Sequence, residues 1–297
     1  MHVDRAARIE PAVLSIQSML AKIDRLHLPV ASRRDLESIL VRQVAKELDR
    51  LLPWQAGHGE ETAVLALRIG YAMRFNDEVL HQLKLAALLH DVGLLMLPAH
   101  LQTRRRSLDI DSYVAIQNHP RLGATLLEPF SFLREATVMI AYHHERWDGS
   151  GYPYGLRGAF IPIGARILAV ADAFEAIQVP HTQDRSLRDH VALRILQVAS
   201  GTQFDPAVVE TLAERCNETD PVHAEPPYTS TTAGVRPTPA LKWEAPPLPL
   251  YRQGSSPPEG PCRPNSTADC DGTDKRNRHG KDDEIIHATC FIYPYHM

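Results

Sequence analysis

Asp172 sits inside one of the most apolar helical stretches of the chain, Leu168-Ala-Val-Ala-Asp-Ala-Phe174. A bare carboxylate buried on such a helix costs several kcal/mol unless it is paired or ligated. Any fold built on this segment must therefore bring a partner to Asp172. Candidate partners recur at the ends and on the faces of other helical segments: His58, His90, Asp91, His119, His143 and His144. Taken singly, each has a plain explanation. His58 can open a helix, His119 can be a satisfied core or surface residue, and His90-Asp91 can be a cap. Taken together, two adjacent pairs and three single residues on successive helical segments point to a metal site. Imidazoles and carboxylates suit Fe, Mn, Zn or Co, and a carboxylate can bridge two ions where a histidine cannot. Two ions about 3.5–4 Å apart lower the pKa of water toward about 7 and clamp the attacking and leaving oxygens of a phosphoester. Asp91 is the candidate bridge, and with His90 the candidate catalytic pair.

The pattern around these residues predicts an all-α fold. Val13, Ile16, Met19, Leu20 and Ile23 recur at helical spacing, as do Leu36, Ile39, Leu40, Val44 and Leu48. Leu28-Pro29 separates the two segments. Further helices are expected over His58–Met73, Glu78–Leu89, Asp111–Leu127, Phe132–Tyr142, Ile163–Ile177, Leu187–Val198 and Pro206–Arg215, with no strand alternation and no internal repeat. From Asn217 the composition changes, and 13 of the 23 prolines lie beyond that point. Such a stretch cannot bury enough apolar surface to offset chain entropy. The expected organisation is a helical N-terminal segment over 1–50, a metal-dependent phosphohydrolase domain over 51–216, and a disordered Pro-rich tail over 217–297.

The motif His90-Asp91-Val-Gly, followed by His119-Pro120, His143-His144-Glu-Arg-Trp-Asp-Gly-Ser-Gly-Tyr-Pro153, Ile161-Pro-Ile-Gly-Ala-Arg-Ile167, Val170-Ala-Asp172 and Gly201-Thr-Gln-Phe-Asp-Pro206, resembles the HD-GYP family. These are bacterial signalling phosphodiesterases of the HD superfamily that hydrolyse cyclic di-GMP at a di- or tri-nuclear iron or manganese centre. The resemblance covers about residues 54 to 215. It implies a helical bundle in which His58, His90, Asp91, His119, His143, His144 and Asp172 are the metal ligands. It also implies that Gly151, Tyr152 and Pro153 form a substrate-side loop, linked in some members to contacts with diguanylate cyclase (GGDEF) domains. A homodimer is a further expectation.

The chain departs from the family pattern at several positions. Some members place a glutamate four residues before the first histidine, completing a third metal site; here that residue is Trp54, so two ions are expected. Leu94 stands where the family usually has a lysine that meets a substrate phosphate. Farther along, His181 and Asp184 replace two arginines, with Arg185 the nearest substitute. A charged hydrogen bond to phosphate is worth about 1.5–3 kcal/mol, so losing two or three costs roughly 3–9 kcal/mol. Two functions fit. One is a phosphodiesterase, at full or weakened strength, that turns cyclic di-GMP into the linear dinucleotide or GMP. The alternative is a degenerate module acting as a nucleotide receptor or interaction scaffold.

Composition narrows the partners. A net charge of −4 gives no general pull toward DNA or an anionic membrane. Arg104-Arg105-Arg106 reads as a solvated loop. The N-terminus lacks a signal-peptide pattern and no stretch of about 18 apolar residues is expected, which suits a cytoplasmic protein. Cys216, Cys262, Cys270 and Cys290 lie at or beyond the edge of the expected domain, and with His279 and His287 lack a convincing zinc spacing.

Overall fold

The computed structural model describes residues 6–25, 29–102, 109–177 and 184–217. Arg104–Arg106, His181 and the stretch from residue 218 onward lie outside the described residues. Ten α-helices carry the described chain: α1 Ala6–Asp24, α2 Val30–Leu51, α3 His58–Ala72, α4 Asp77–Leu89, α5 Ile110–Ile116, α6 His119–Leu127, α7 Arg134–Tyr142, α8 Ile163–Ala176, α9 Arg185–Val198 and α10 Pro206–Asn217. Among the described residues an isolated bridge between Ser200 and Phe204 is the nearest approach to β-structure. The fold is all-α.

The long helix expected over 111–127 is two helices. Pro120 has no N–H to offer the carbonyl four residues back, that of Ile116. The ladder breaks there, and a new helix begins at His119. The open Ile116 carbonyl accepts instead from His119 Nδ1 at 2.9 Å.

The bundle is organised around α4 and α8. Leu83, Leu85, Leu88 and Leu89 of α4 and Ile167, Leu168 and Val170 of α8 are almost fully buried in one apolar cluster. α4 packs against α2, α3, α7 and α8, and every residue from Leu85 to Leu89 is buried. Together with the turn that follows, it forms a segment, Asp77–Met96, long and apolar enough by composition to cross a membrane. This corrects the expectation that no such stretch exists. At 78% burial inside the bundle, it is the core helix of the fold.

α1 and α2 share that core. Ile16, Leu20, Ile23, Val41 and Val44 join the same cluster as α3 and α4. A buried polar tie reinforces the seam: His81 Nε2 on α4 lies 2.8 Å from Glu37 Oε2 on α2, and Arg33 Nε donates to the other Glu37 oxygen at 2.9 Å. On the opposite side, the buried Gln82 side chain joins α4 to α7, donating to Phe132 O at 2.9 Å and accepting from Ala136 N at 3.1 Å. The first half of α4 is therefore tied to both α2 and the start of α7 by buried polar groups, which cost little only when fully paired.

Candidate metal centre

Three histidines are aimed by one local device. The last carbonyls of an α-helix have no intrahelical partner. His90, just past α4, donates from Nδ1 to Ala87 O at 2.8 Å. His143, just past α7, does the same to Ile140 O at 2.7 Å. His119 uses the carbonyl that Pro120 leaves open. In each case the bonded carbonyl lies three residues back, and the bond fixes Nδ1 as the donor and turns Nε2 inward.

The seven residues expected as ligands converge. Donor atoms of His58, His90 and Asp172 lie within 4.8 Å of one another, and so do those of His119, His143 and His144. His58 Nε2 is 2.9 Å from Asp172 Oδ1, and His90 Nε2 is 3.7 Å from the same oxygen. Asp91 lies between the two triads. Its Oδ2 is 3.2 Å from His90 Nε2 of the first, and its Oδ1 is 3.2 Å from His119 Nε2 of the second. His119, His143 and His144 are buried, and Asp91 keeps 15% of its side chain exposed, so the cluster opens to solvent beside that carboxylate.

The donor set suits divalent cations. The Nδ1 bonds leave the Nε2 atoms of His119 and His143 turned toward each other at 3.4 Å. Two imidazole nitrogens so placed can both ligate a cation that lies against them. His90 Nε2 is buried without a hydrogen bond of good geometry. Burial, together with the charges of His119 and His90, pushes the His143 pKa down to about 3, so that ring is neutral at pH 7. For His90, burial pulls downward, but the Asp91 and then the Asp172 carboxylates outweigh it and raise the value to about 9. A cation binding at His90 at neutral pH therefore displaces a proton. Asp91 is held well below the usual carboxylate range, because the His90 and His119 imidazoles overcome the penalty of burial.

The loop containing Gly151, Tyr152 and Pro153 folds back onto this centre. Tyr152 N donates to His144 O at 3.2 Å, and the two rings lie 4.9 Å apart at 31°. Gly151 is required by packing, since a Cβ there would fall 2.3 Å from Arg146 N. Glu145, to which the sequence reading attached no role, anchors the loop: its buried carboxylate accepts from Tyr154 N at 2.7 Å and Leu156 N at 2.9 Å. Burial raises its pKa, and these backbone bonds oppose the rise.

Leu94, Asp184 and Arg185 are the described positions among those read as a phosphate grip. Leu94 is 1% exposed, packed in the core on the turn Val92–Met96. Asp184 is the N-cap of α9, accepting from Ser186 N at 2.9 Å and Leu187 N at 3.3 Å. Arg185, expected on the substrate side, pairs at the surface with Glu61 at 3.1 Å, one helical turn from His58. Trp54 donates from its indole to Gln102 O at 2.9 Å. Its neighbour Gln55, which sequence reasoning passed over, donates to Asp91 Oδ2.

The model of the HD domain matches residues 42–208. The chain is 29% identical over 196 residues to the 3'3'-cGAMP-specific phosphodiesterase 2 of Vibrio cholerae, covering 65% of this chain and 38% of that protein. It is 32% identical over 177 residues to the cyclic di-GMP phosphodiesterase response regulator RpfG of Xanthomonas campestris, covering 58% and 47%. The chain thus spans less than half the length of these curated relatives. Among solved structures, a cyclic GMP-AMP specific phosphodiesterase of V. cholerae aligns with a TM-score of 0.50 at 22% identity, over 61% of this chain and 49% of the other, a likeness of fold. With more than half of its length matched by the family model and the His90-Asp91 pair at the heart of the cluster, the chain belongs to the HD domain family.

Proposed function

We propose that the chain is a metal-dependent phosphodiesterase acting on a cyclic dinucleotide, cyclic di-GMP first. One observation carries this reading: the Asp91 carboxylate presents one oxygen to each of two ligand triads. His58, His90 and Asp172 would hold one ion, His119, His143 and His144 the other, with iron or manganese the first choices. Bound there, a pair of divalent cations lowers the pKa of water toward about 7 and polarises the phosphoryl oxygens. The chain's own residues do the rest. The helix-end carbonyls lock three imidazoles before substrate arrives, so little reorganisation remains. Tyr152, whose ring leans at 31° against that of His144, forms a wall on which a base or ribose can rest, and Glu145 holds that wall in place. Tyr154 and Phe160, which follow on the same stretch of chain, are exposed, and there we also place any contact with a diguanylate cyclase domain.

A receptor or scaffold is the second reading. Its specific support is the phosphate grip: Leu94 is in the core, Asp184 caps a helix, and Arg185 is engaged by Glu61. The two readings separate in one assay. Mn(II)- or Fe(II)-loaded protein is incubated with cyclic di-GMP and, in parallel, with 3'3'-cGAMP, and the products are resolved. The enzyme reading expects linear dinucleotide or GMP at about 1 per second or faster. Full metal loading with no hydrolysis of either compound overturns it and leaves the receptor.

A further inference from the structure

We propose that Gln55 is a positioning residue for the carboxylate that joins the two triads; this rests on the two-metal reading above. Asp91 must divide its oxygens between two clusters, so its rotation about the Cβ–Cγ bond matters more than that of any other residue of the centre. The imidazole nitrogens that flank it, His90 Nε2 and His119 Nε2, each at 3.2 Å, can orient it only while they carry protons. Once those nitrogens donate lone pairs to cations, they no longer donate hydrogen bonds to Asp91. The Gln55 amide has no such conflict. Its Nε2 donates to Asp91 Oδ2, and it keeps its hydrogens at every pH at which the protein folds.

Gln55 is also held from behind. It closes the short turn Pro53–Gln55, where its N–H donates to Leu52 O at 2.9 Å. Leu52 is 1% exposed in the core. The adjacent Trp54 indole bonds Gln102 O at 2.9 Å, and the Gln102 side chain in turn donates to Leu95 O at 3.1 Å and Leu97 O at 2.7 Å. Gln102 thereby ties the turn that presents Gln55 to the segment that follows Asp91. Three residues beyond Gln55, His58 opens α3 and meets Asp172. One short stretch of chain therefore addresses Asp91 and Asp172 together.

The test uses the full chain stripped of metal by a chelator. Mn(II) is titrated against a fluorescent chelator in the natural protein and in Gln55→Met, which keeps the side-chain length and removes the donor. Groups that orient metal ligands typically change affinity by about tenfold to a hundredfold, and a loss of that size is expected. The melting temperature of the stripped variant should stay close to that of the stripped natural protein, while the Mn(II)-saturated variant melts lower than its saturated counterpart. If Gln55→Met does not fold, Gln55→Ala is read in the same way. Affinity unchanged within twofold overturns the role of Gln55 alone. An equal drop in melting temperature with and without Mn(II) makes Gln55 merely structural and also overturns it. Failure of the natural protein to bind Mn(II) overturns the two-metal reading and this role with it.

Discussion

Asp91→Ala is expected to lower turnover of cyclic di-GMP by at least about a thousandfold, or about 4 kcal/mol of transition-state stabilisation. The size follows from what the side chain touches. Asp91 stands 3.2 Å from one imidazole of each triad, and it brings negative charge to a site that otherwise holds five histidines and Asp172. Removing it leaves the second triad with imidazoles alone, so cation binding there should weaken most. Metal content and kcat are measured on the same preparation. The variant should fold, because alanine at position 91 leaves no large cavity at a partly exposed site. A variant that keeps both its metal content and more than a tenth of the natural rate contradicts the assignment.

Gly93→Ala is expected to be the most damaging single-methyl addition to the fold. A Cβ at position 93 would lie 2.0 Å from His119 O and 2.5 Å from Gly123 N. Both are backbone atoms and cannot rotate away, so the turn Val92–Met96 and α6 must separate. Overpacking usually costs 1–3 kcal/mol, and with two backbone clashes we expect about 3 kcal/mol or more. For a domain of this size that lowers the melting temperature by roughly 6–12 °C. The same displacement moves His119 away from Asp91, so Mn(II) affinity should fall along with stability. Thermal unfolding and metal titration check the two parts. A variant that matches the natural protein in both shows that α6 can shift without cost.

These two residues also mark how far the sequence could be read. His90-Asp91-x-Gly93 was legible as a ligand pair followed by a glycine, but the reason for the glycine is tertiary: a second helix passes within reach of its Cα. Asp172 announced a partner through its apolar surroundings, and His58 is that partner at 2.9 Å. The break before His119 was written in Pro120, yet hydrophobic spacing ran straight across it. Gln55 left no trace, because a lone glutamine carries no pattern and its target is 36 residues away. Asp184 was read for its charge against a nucleotide when local chemistry already offered a helix cap ahead of Leu187. Leu94 shows the same limit. The change from lysine was visible, but that the position packs into the core was not, and Leu94→Lys would now be expected to cost stability.

The division of Asp91 between two triads is tested most directly by diffraction from crystals of the full chain grown with Mn(II), using anomalous differences. Two peaks about 3.5–4 Å apart are predicted, one against His58, His90 and Asp172 and the other against His119, His143 and His144, with an oxygen of Asp91 on each. A single peak, or two peaks with Asp91 bound to only one, would contradict it.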